Sequence, residues 1–298
     1  MPTRRATLIS NPKTGRYGAR RLRPIQEVAA QLQRSGLEVD LKLTAAPGEA
    51  TEIAARAARN GSSDVIVAGG DGTINEAIQG MAGSKARLAI IPRGTANVLA
   101  RELNLPLNDE QATMIAARGN SRRIHLGLAI DHTTGARRHF VLMAGIGLDA
   151  SVVRRVQPRL KKRIGKGAFW LSGLSHLADW KPSSFTLEIE GRSYKGTFAA
   201  IGKASRYGGD LSITPGARLD KPEFEICIIE TESRFRYLRL LGYTLRAGMP
   251  RDKFGVRFVN AAAVEAKGDA PVQVDGELIG TLPMRFEIAS ESLEVIVP

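Results

Sequence analysis

The sequence predicts an α/β protein in two parts: a parallel sheet with helices on both faces, then a β-rich region. Three observations predict it. Strand and helix signals alternate up to about residue 120, the pattern of a mostly parallel sheet built by crossovers. Beyond that point short apolar runs follow one another, many separated by turn pairs such as Glu190-Gly191, Gly208-Gly209 and Asp275-Gly276. The chain has 298 residues, enough to bury a large core without disulfides or metals, and its single cysteine, Cys227, permits no internal disulfide. With 43% hydrophobic and 24% charged residues, the composition excludes a disordered chain, a collagen and a coiled coil. No apolar run approaches the ~20 residues of a membrane-spanning helix. Met1 to Ser10 lacks the apolar stretch of a secretory signal, so a reducing cytoplasm is the expected location.

In the first part, Arg5 to Asn11 reads as a short apolar strand. Ala19 to Ser35 places Leu22, Ile25, Val28, Ala29 and Leu32 at helical spacing and stops at Gly36. Leu37 to Thr44 alternates Leu37, Val39, Leu41 and Leu43 on one strand face. Pro47 to Asn60 is alanine-rich and helical, ended by Gly61. Asp64 to Ala68 and Leu88 to Pro92 read as buried strands, Thr73 to Met81 and Thr95 to Leu103 as helices.

In the second part, strands are expected at 121–130, 139–146, 185–190, 194–201, 224–230, 256–265, 271–275, 284–289 and 293–297. Helices are expected near 150–180 and 234–248. No repeat or low-complexity linker divides the chain, so the two parts are expected to pack around a cleft. The expected boundaries are 1–125, with 290–298 rejoining that part, and 126–289.

The strongest local feature is Val65-Ile66-Val67-Ala68-Gly69-Gly70-Asp71-Gly72-Thr73-Ile74-Asn75-Glu76. A buried strand enters a glycine-rich turn and a helix starts. Glycines let backbone N–H groups approach a phosphate closely, and the helix N-terminus adds its positive dipole end. Asp71 stands where a metal-bound water could bridge it to phosphate oxygens. The plainer alternative makes Asp71 a helix cap, but three glycines in four positions exceed what a cap requires. There is no Gly-Lys-Ser/Thr and no G-x-G-x-x-G. A second glycine turn, Pro92-Arg93-Gly94-Thr95-Ala96-Asn97, follows the next strand. Ser10-Asn11-Pro12 and Thr44 end the first two strands. Each alone reads as a cap; together they fall at the carboxyl ends of strands, where open α/β sheets bind ligands.

These segments, with Val274-Asp275-Gly276-Glu277 near the C-terminus, resemble the diacylglycerol kinase catalytic family, in particular soluble bacterial lipid kinases; sphingosine and ceramide kinases are more distant members. Segments 140–150, 165–182 and 208–217 extend the likeness through most of the chain. Gly-Gly-Asp-Gly-Thr is shared with NAD kinases; Asn75-Glu76 directly after it and the late Asp-Gly-Glu favour the lipid-kinase branch. The resemblance implies a three-layer Rossmann-like parallel sheet plus a C-terminal β-sandwich with the nucleotide in the cleft. It implies ATP and Mg2+ as cofactors, with ATP held by Asn11, Thr44, Gly69, Gly70, Asp71, Gly72, Thr73, Ile74, Asn75 and Thr95. Asp71 and Glu277 become the catalytic carboxylates, Asp71 acting on magnesium through water and Glu277 as the general base. From the residues alone, Asp275-Gly276-Glu277 reads rather as an ordinary hairpin turn.

The chain departs from the family in three places, each the loss of a carboxylate. Val98 stands where Asp is common, Ile124-His125-Leu126-Gly127 lacks the usual acid of its strand, and Lys221 replaces the acid after Asp220 that helps hold a structural magnesium. A protonated lysine cannot ligate a hard cation, which argues against that structural metal.

Charge supplies the remaining expectation. The 43 Lys and Arg against 30 Asp and Glu give +13, a balance that attracts polyanions. From Ala150 to Ala178 there is no acid; Arg154, Arg155, Lys161, Lys162 and Arg163 stand beside Phe169, Trp170, Leu174 and Leu177. Such a stretch suits an anionic membrane surface, or else a solvated basic face beside a core helix. The expected partners are therefore a lipid substrate and a peripheral anionic membrane, with a homodimer left open. No helix-turn-helix, zinc-knuckle or RNA-binding pattern supports nucleic acid. Three competing readings remain at this point: an NAD kinase-like enzyme with a soluble acceptor, a catalytically degenerate nucleotide or lipid sensor, and a nucleic-acid-binding protein suggested only by the basic charge.

Overall fold

The computed structural model describes residues 4–12, 23–148, 150–151, 183–207, 211–247, 249 and 255–298. The chain divides into two compact units, residues 1–124 with 290–298 and residues 125–289.

The first unit is built on β1 (Arg4–Ser10), β2 (Leu37–Leu43), β3 (Asp64–Gly69) and β4 (Arg87–Pro92). They run parallel in the order β2-β1-β3-β4. The end of the chain adds a further parallel strand, with Val295 opposite Leu88. β3 is buried along its whole length, as a strand covered on both faces must be. The helices are α1 (Ile25–Arg34), α2 (Glu49–Arg59), α3 (Asp71–Met81), α4 (Val98–Glu102) and α5 (Asp109–Arg118). Val28 and Leu32 of α1 and Ala112 and Ala116 of α5 join Leu8, Ile66 and Ile91 of the sheet in one core. α2 and α3 pack on one another so closely that a Cβ at Gly80 would lie 2.2 Å from the Thr51 carbonyl oxygen. Thr51 Oγ1 also donates to the Glu76 carbonyl at 2.8 Å.

The sequence expectations shift in three places here. α3 starts at Asp71 rather than Thr73. The helix expected from Thr95 begins only at Val98, because Asn97 holds a left-handed conformation, φ 49°. α5 was not anticipated at all.

The second unit is a β-sandwich. Its strands are β5 (Ser121–Asp131, entering from the first unit), β6 (Arg137–Phe140), β7 (Met143–Gly147), β8 (Phe185–Ile189), β9 (Arg192–Gly196) and β10 (Phe198–Gly202). Then come β11 (Arg206–Tyr207), β12 (Leu211–Ser212), β13 (Phe224–Ile229), helix α6 (Arg234–Ala247), β14 (Val256–Ala261), β15 (Ala263–Gly268), β16 (Pro271–Val274), β17 (Glu277–Thr281) and β18 (Met284–Ile296). One antiparallel sheet has the order β14-β13-β10-β7-β16-β17. The other places β15 between β18 and β8, with β9 outside β8. Alternate residues of both enter one core, Ile146, Ile201 and Ile226 from the first, Leu187, Val264 and Phe286 from the second. Phe140 and Phe224 stack within it, centroids 5.6 Å apart.

The expected strands 139–146, 194–201 and 256–265 are each two strands, whereas 284–289 and 293–297 are one continuous β18. β17 was not expected. The helix expected near 150–180 lies outside the described residues but for its first two, and so does the Gly208-Gly209 turn. Among the described residues no helix is long and apolar enough to cross a membrane.

Candidate active site

Because β1 to β4 are parallel, their carboxyl ends form one edge of the first unit. The order reverses between β1 and β3, the switch point at which such sheets leave a crevice. Asn11 directly follows β1. Thr44 follows β2, is buried, and donates its N–H to the Ser10 carbonyl at 3.0 Å. The two glycine turns follow β3 and β4.

The first turn delivers an uncapped helix. Gly70 is the N-cap of α3, and no side chain caps it. The first intrahelical donor is the Ile74 N–H, which reaches the Gly70 carbonyl at 3.1 Å. The N–H groups of Asp71, Gly72 and Thr73 precede it and have no helical acceptor. A helix terminus of this kind is able to hold an anion.

The three glycines have separate reasons. Gly70 is extended, φ −96° and ψ 179°, so its conformation alone does not demand glycine. It meets the second turn instead: a Cβ at Gly70 would lie 3.1 Å from the Gly94 Cα, and one at Gly94 2.6 Å from the Gly70 Cα. A Cβ at Gly69 would press on the Thr73 side chain at 2.9 Å. Gly72 is exposed and has nothing within 4 Å of such a Cβ. Packing therefore explains Gly69 and Gly70, and open access remains at Gly72.

Asp71 does not cap its own helix. Its Oδ1 accepts the Val98 N–H at 2.7 Å and the Leu99 N–H at 3.4 Å, so it caps α4. Among the described residues no cation pairs with Asp71, and the backbone N–H groups of Asn97 and of Asp71 itself also act on its carboxylate. Burial pushes its carboxyl above the ordinary range, opposed by the backbone N–H groups of Leu99 and Val98. Asn97 locks the second turn, Oδ1 accepting from the Gly94 N–H at 2.8 Å and Nδ2 donating to the Gly94 carbonyl at 2.9 Å. Arg93 is buried against Asp109 at 2.8 Å, which ties this turn to α5. The sequence motif contains Asn97 and Arg93 without indicating these roles; an asparagine three residues after Gly94, a type able to adopt a left-handed conformation, is the available signal for the first.

The other expected residues differ in access. Thr95 is exposed and Thr73 half-buried. Ile74 is a core residue whose N–H is already committed to the helix. Asn75 is buried, and its Oδ1 accepts from Gln79 at 3.0 Å. Val98 is buried and contributes its backbone N–H to Asp71.

Glu277 opens β17 in the second unit, exposed and paired with Arg138 at 2.5 Å. The turn before it is more than a hairpin. The Asp275 carboxylate accepts the N–H groups of Val141 at 2.8 Å and of Leu142 and Met143 at 2.9 Å each. Asp275 and Gly276 both have positive φ, 48° and 86°. Buried Gln273 accepts the Gly276 N–H through its side chain at 2.7 Å. Glu277 thus follows a fixed backbone turn, and the three bonds of Asp275 that fix it are not legible in the sequence. Among the described residues no cluster of three His, Cys, Asp or Glu could hold a metal ion. Arg154, Arg155, Lys161, Lys162 and Arg163 lie outside the described residues.

A parallel α/β unit with a glycine-rich turn at its strand ends, followed by a β-sandwich, defines the NAD kinase and diacylglycerol kinase-like class of proteins. The chain belongs to the diacylglycerol kinase catalytic-domain family: residues 5–129 match the diacylglycerol kinase catalytic domain and residues 143–297 the YegS C-terminal NAD kinase beta sandwich-like domain. A diacylglycerol kinase of Staphylococcus carnosus is 27% identical, covering 99% of this chain and 95% of its own. One from Bacillus subtilis is 28% identical over 99% and 97%. A Bacillus anthracis crystal structure, described as a candidate diacylglycerol kinase, superposes with a TM-score of 0.80 at 22% identity, over 99% of this chain and 97% of that one. The family is one of lipid kinases, and the chain is a kinase by that membership.

Proposed function

We propose that this kinase transfers the γ-phosphate of ATP to a hydroxyl of a lipid, diacylglycerol or a sphingoid-like lipid, at a membrane surface. The observation that carries the reading is the uncapped N-terminus of α3 beside an aspartate that meets only backbone N–H groups and, among the described residues, no cation. Phosphoryl transfer needs positioning and charge neutralisation more than covalent chemistry from the protein. The N–H groups of Asp71, Gly72 and Thr73 would hold phosphate oxygens, and Thr44, Asn11 and Thr95 line the same edge. Magnesium keeps most of its waters and needs only one or two carboxylates besides the phosphates, which suits Asp71 acting through water. When bound, it supplies neutralisation of the charge on the transferring group.

Glu277 takes the proton of the lipid hydroxyl as its oxygen bonds to the γ-phosphorus. The bond from that phosphorus to the β–γ bridging oxygen breaks, ADP departs, and the proton stays on the carboxylate. Arg138 and Asp275 orient it. The relatives' names make diacylglycerol the first lipid to test. Two basic stretches suit an anionic bilayer: the 154–163 run of the sequence, and α6, which contains no acid and exposes Phe235 and Tyr243 beside Arg236 and Arg239. Each such cation is worth ~1 kcal/mol near anionic lipid.

The test is labelled γ-phosphate transfer from ATP to phosphatidylglycerol vesicles containing diacylglycerol, with NAD as a soluble acceptor in a parallel tube. Magnesium-dependent label in the lipid, lost in Asp71→Asn and Glu277→Gln, with ATP binding kept by Glu277→Gln, is the expected result. Label in NAD alone, or in nothing despite ATP binding, would overturn the lipid reading.

A further inference from the structure

Lys203 directly follows β10 and is wholly buried. Its Nζ donates to the carbonyl oxygens of Arg218 at 3.0 Å and Glu223 at 3.3 Å, and to that of Lys221. An ammonium has three protons, so three carbonyls of one short loop saturate it. Buried lysines are rare unless their charge is met in this way. Burial pushes the Lys203 pKa down to about 8, while the charges of Asp220 and Glu223 pull it back up. Carbonyl oxygens aimed at the ammonium also favour its charged form.

The loop's charged side chains also pair with one another. The Asp220 carboxylate takes the Arg218 guanidinium at 2.8 Å and 3.0 Å. Lys221 is exposed, with Nζ 3.7 Å from Glu223 Oε1. A divalent ion here, as the family resemblance implies, would need oxygen ligands carrying negative charge. The residues do not fit one: position 221 brings a cation, and the carbonyl centre is already filled by Lys203.

We infer that the Lys203 ammonium is the resident cation of the 218–223 loop and replaces a structural divalent metal ion in this chain. The clamp is part of a longer chain of bonds. The Leu219 carbonyl accepts the His125 N–H at 2.8 Å. The N–H groups of Lys203 and Ala204 donate to the Leu142 carbonyl at 2.9 Å and 3.0 Å. Leu142 N–H in turn donates to Asp275, two residues before Glu277. Lys203 therefore fastens the loop to the segment that presents Glu277. The inference rests on these bonds and is independent of the lipid reading.

The test uses the full chain without nucleotide. Metal content is measured by mass spectrometry, and the melting midpoint is read in EDTA and in magnesium, for wild type and for Asp71→Asn. The expected result is no stoichiometric divalent metal and a midpoint that EDTA does not lower. A magnesium effect seen only in wild type belongs to the Asp71 site and leaves the inference standing. A stoichiometric metal in both proteins, or an EDTA-induced fall in both that magnesium reverses, would overturn it. Lys203→Met should melt lower by about 5 °C or more, with no recovery in magnesium; a wild-type midpoint would also overturn the inference. Should Lys203→Met not fold, Lys203→Ala refolded with ethylammonium, set against ethanol, reads the same requirement: rescue by the cation alone supports it, and equal rescue by both contradicts it.

Discussion

The two ends of β3 carry the same residue type in opposite electrostatic circumstances. Asp64 opens the strand, is fully buried, and gives one oxygen to Arg4 Nε at 2.5 Å and the other to Arg87 Nε at 2.7 Å. Those guanidinium groups donate onward to the carbonyls of Ala116, Ala117 and Gly119, where α5 ends. Asp71 follows the strand's other end and meets only backbone N–H groups. One aspartate is saturated by charge and fastens strands to a helix. The other pairs with no cation among the described residues and stands in the first turn of a helix whose leading N–H groups lack helical acceptors. The contrast teaches that burial alone does not mark a functional carboxylate; what marks it is interaction capacity left over after the fold is made.

The largest expected effect is at the saturated end. Asp64→Ala leaves two guanidinium groups facing a buried void and should cost about 3–5 kcal/mol by denaturant titration. ATP affinity per folded molecule should hold; a folded Asp64→Ala protein that cannot bind ATP would erase the distinction. Next is Asp71→Asn, expected to lower turnover by about 10²–10³-fold while melting no lower than wild type. The amide oxygen still caps α4. The raised pKa sets the sign: folding raises the pKa above 3.8, so stability falls as pH rises through the interval above that value. At neutral pH the amide escapes this cost. The acid limb of ATP binding should accordingly sit above the ordinary aspartate range in wild type and vanish in the variant.

Smaller effects belong to neither end and serve as controls. Gly80→Ala forces a methyl group against the Thr51 carbonyl and should cost about 1–3 kcal/mol, with binding unchanged in the folded fraction. Asn108 caps α5, its Oδ1 accepting from Glu110 at 2.9 Å and Gln111 at 3.1 Å. Asn108→Ala should cost about 1 kcal/mol, visible as a small shift of the melting midpoint.

The sheet of the first unit was legible because its strands are short apolar runs punctuated by glycine. α5 was not, because its inward face is Ala112, Thr113 and Ala116 while Met114 is 46% exposed; the hydrophobic pattern points the wrong way. β18 read as two strands because Ser290-Glu291-Ser292 is polar, and there the chain passes from one unit to the other. β17 was hidden by its mostly exposed residues, which leave no alternation to detect. At the site, the glycine turn was legible as a type of chemistry. Its internal division of labour was not, since Gly70 is explained by Gly94, a residue on another turn. Lys203 carried no signal either: one lysine after a strand reveals nothing of the three carbonyls that surround it.

On this reading the Asp71 turn holds the nucleotide's phosphates with capacity that the fold leaves over. Calorimetric titration of magnesium–ATP into wild type and Asp71→Asn at neutral pH tests it most directly, with the ligand-free melting midpoint of each recorded alongside. Binding in wild type, at least ~10-fold weaker binding in the variant, and no lower midpoint in the variant is the predicted result. Equal affinity in the two proteins, or weaker binding that merely tracks a lowered midpoint, would contradict it.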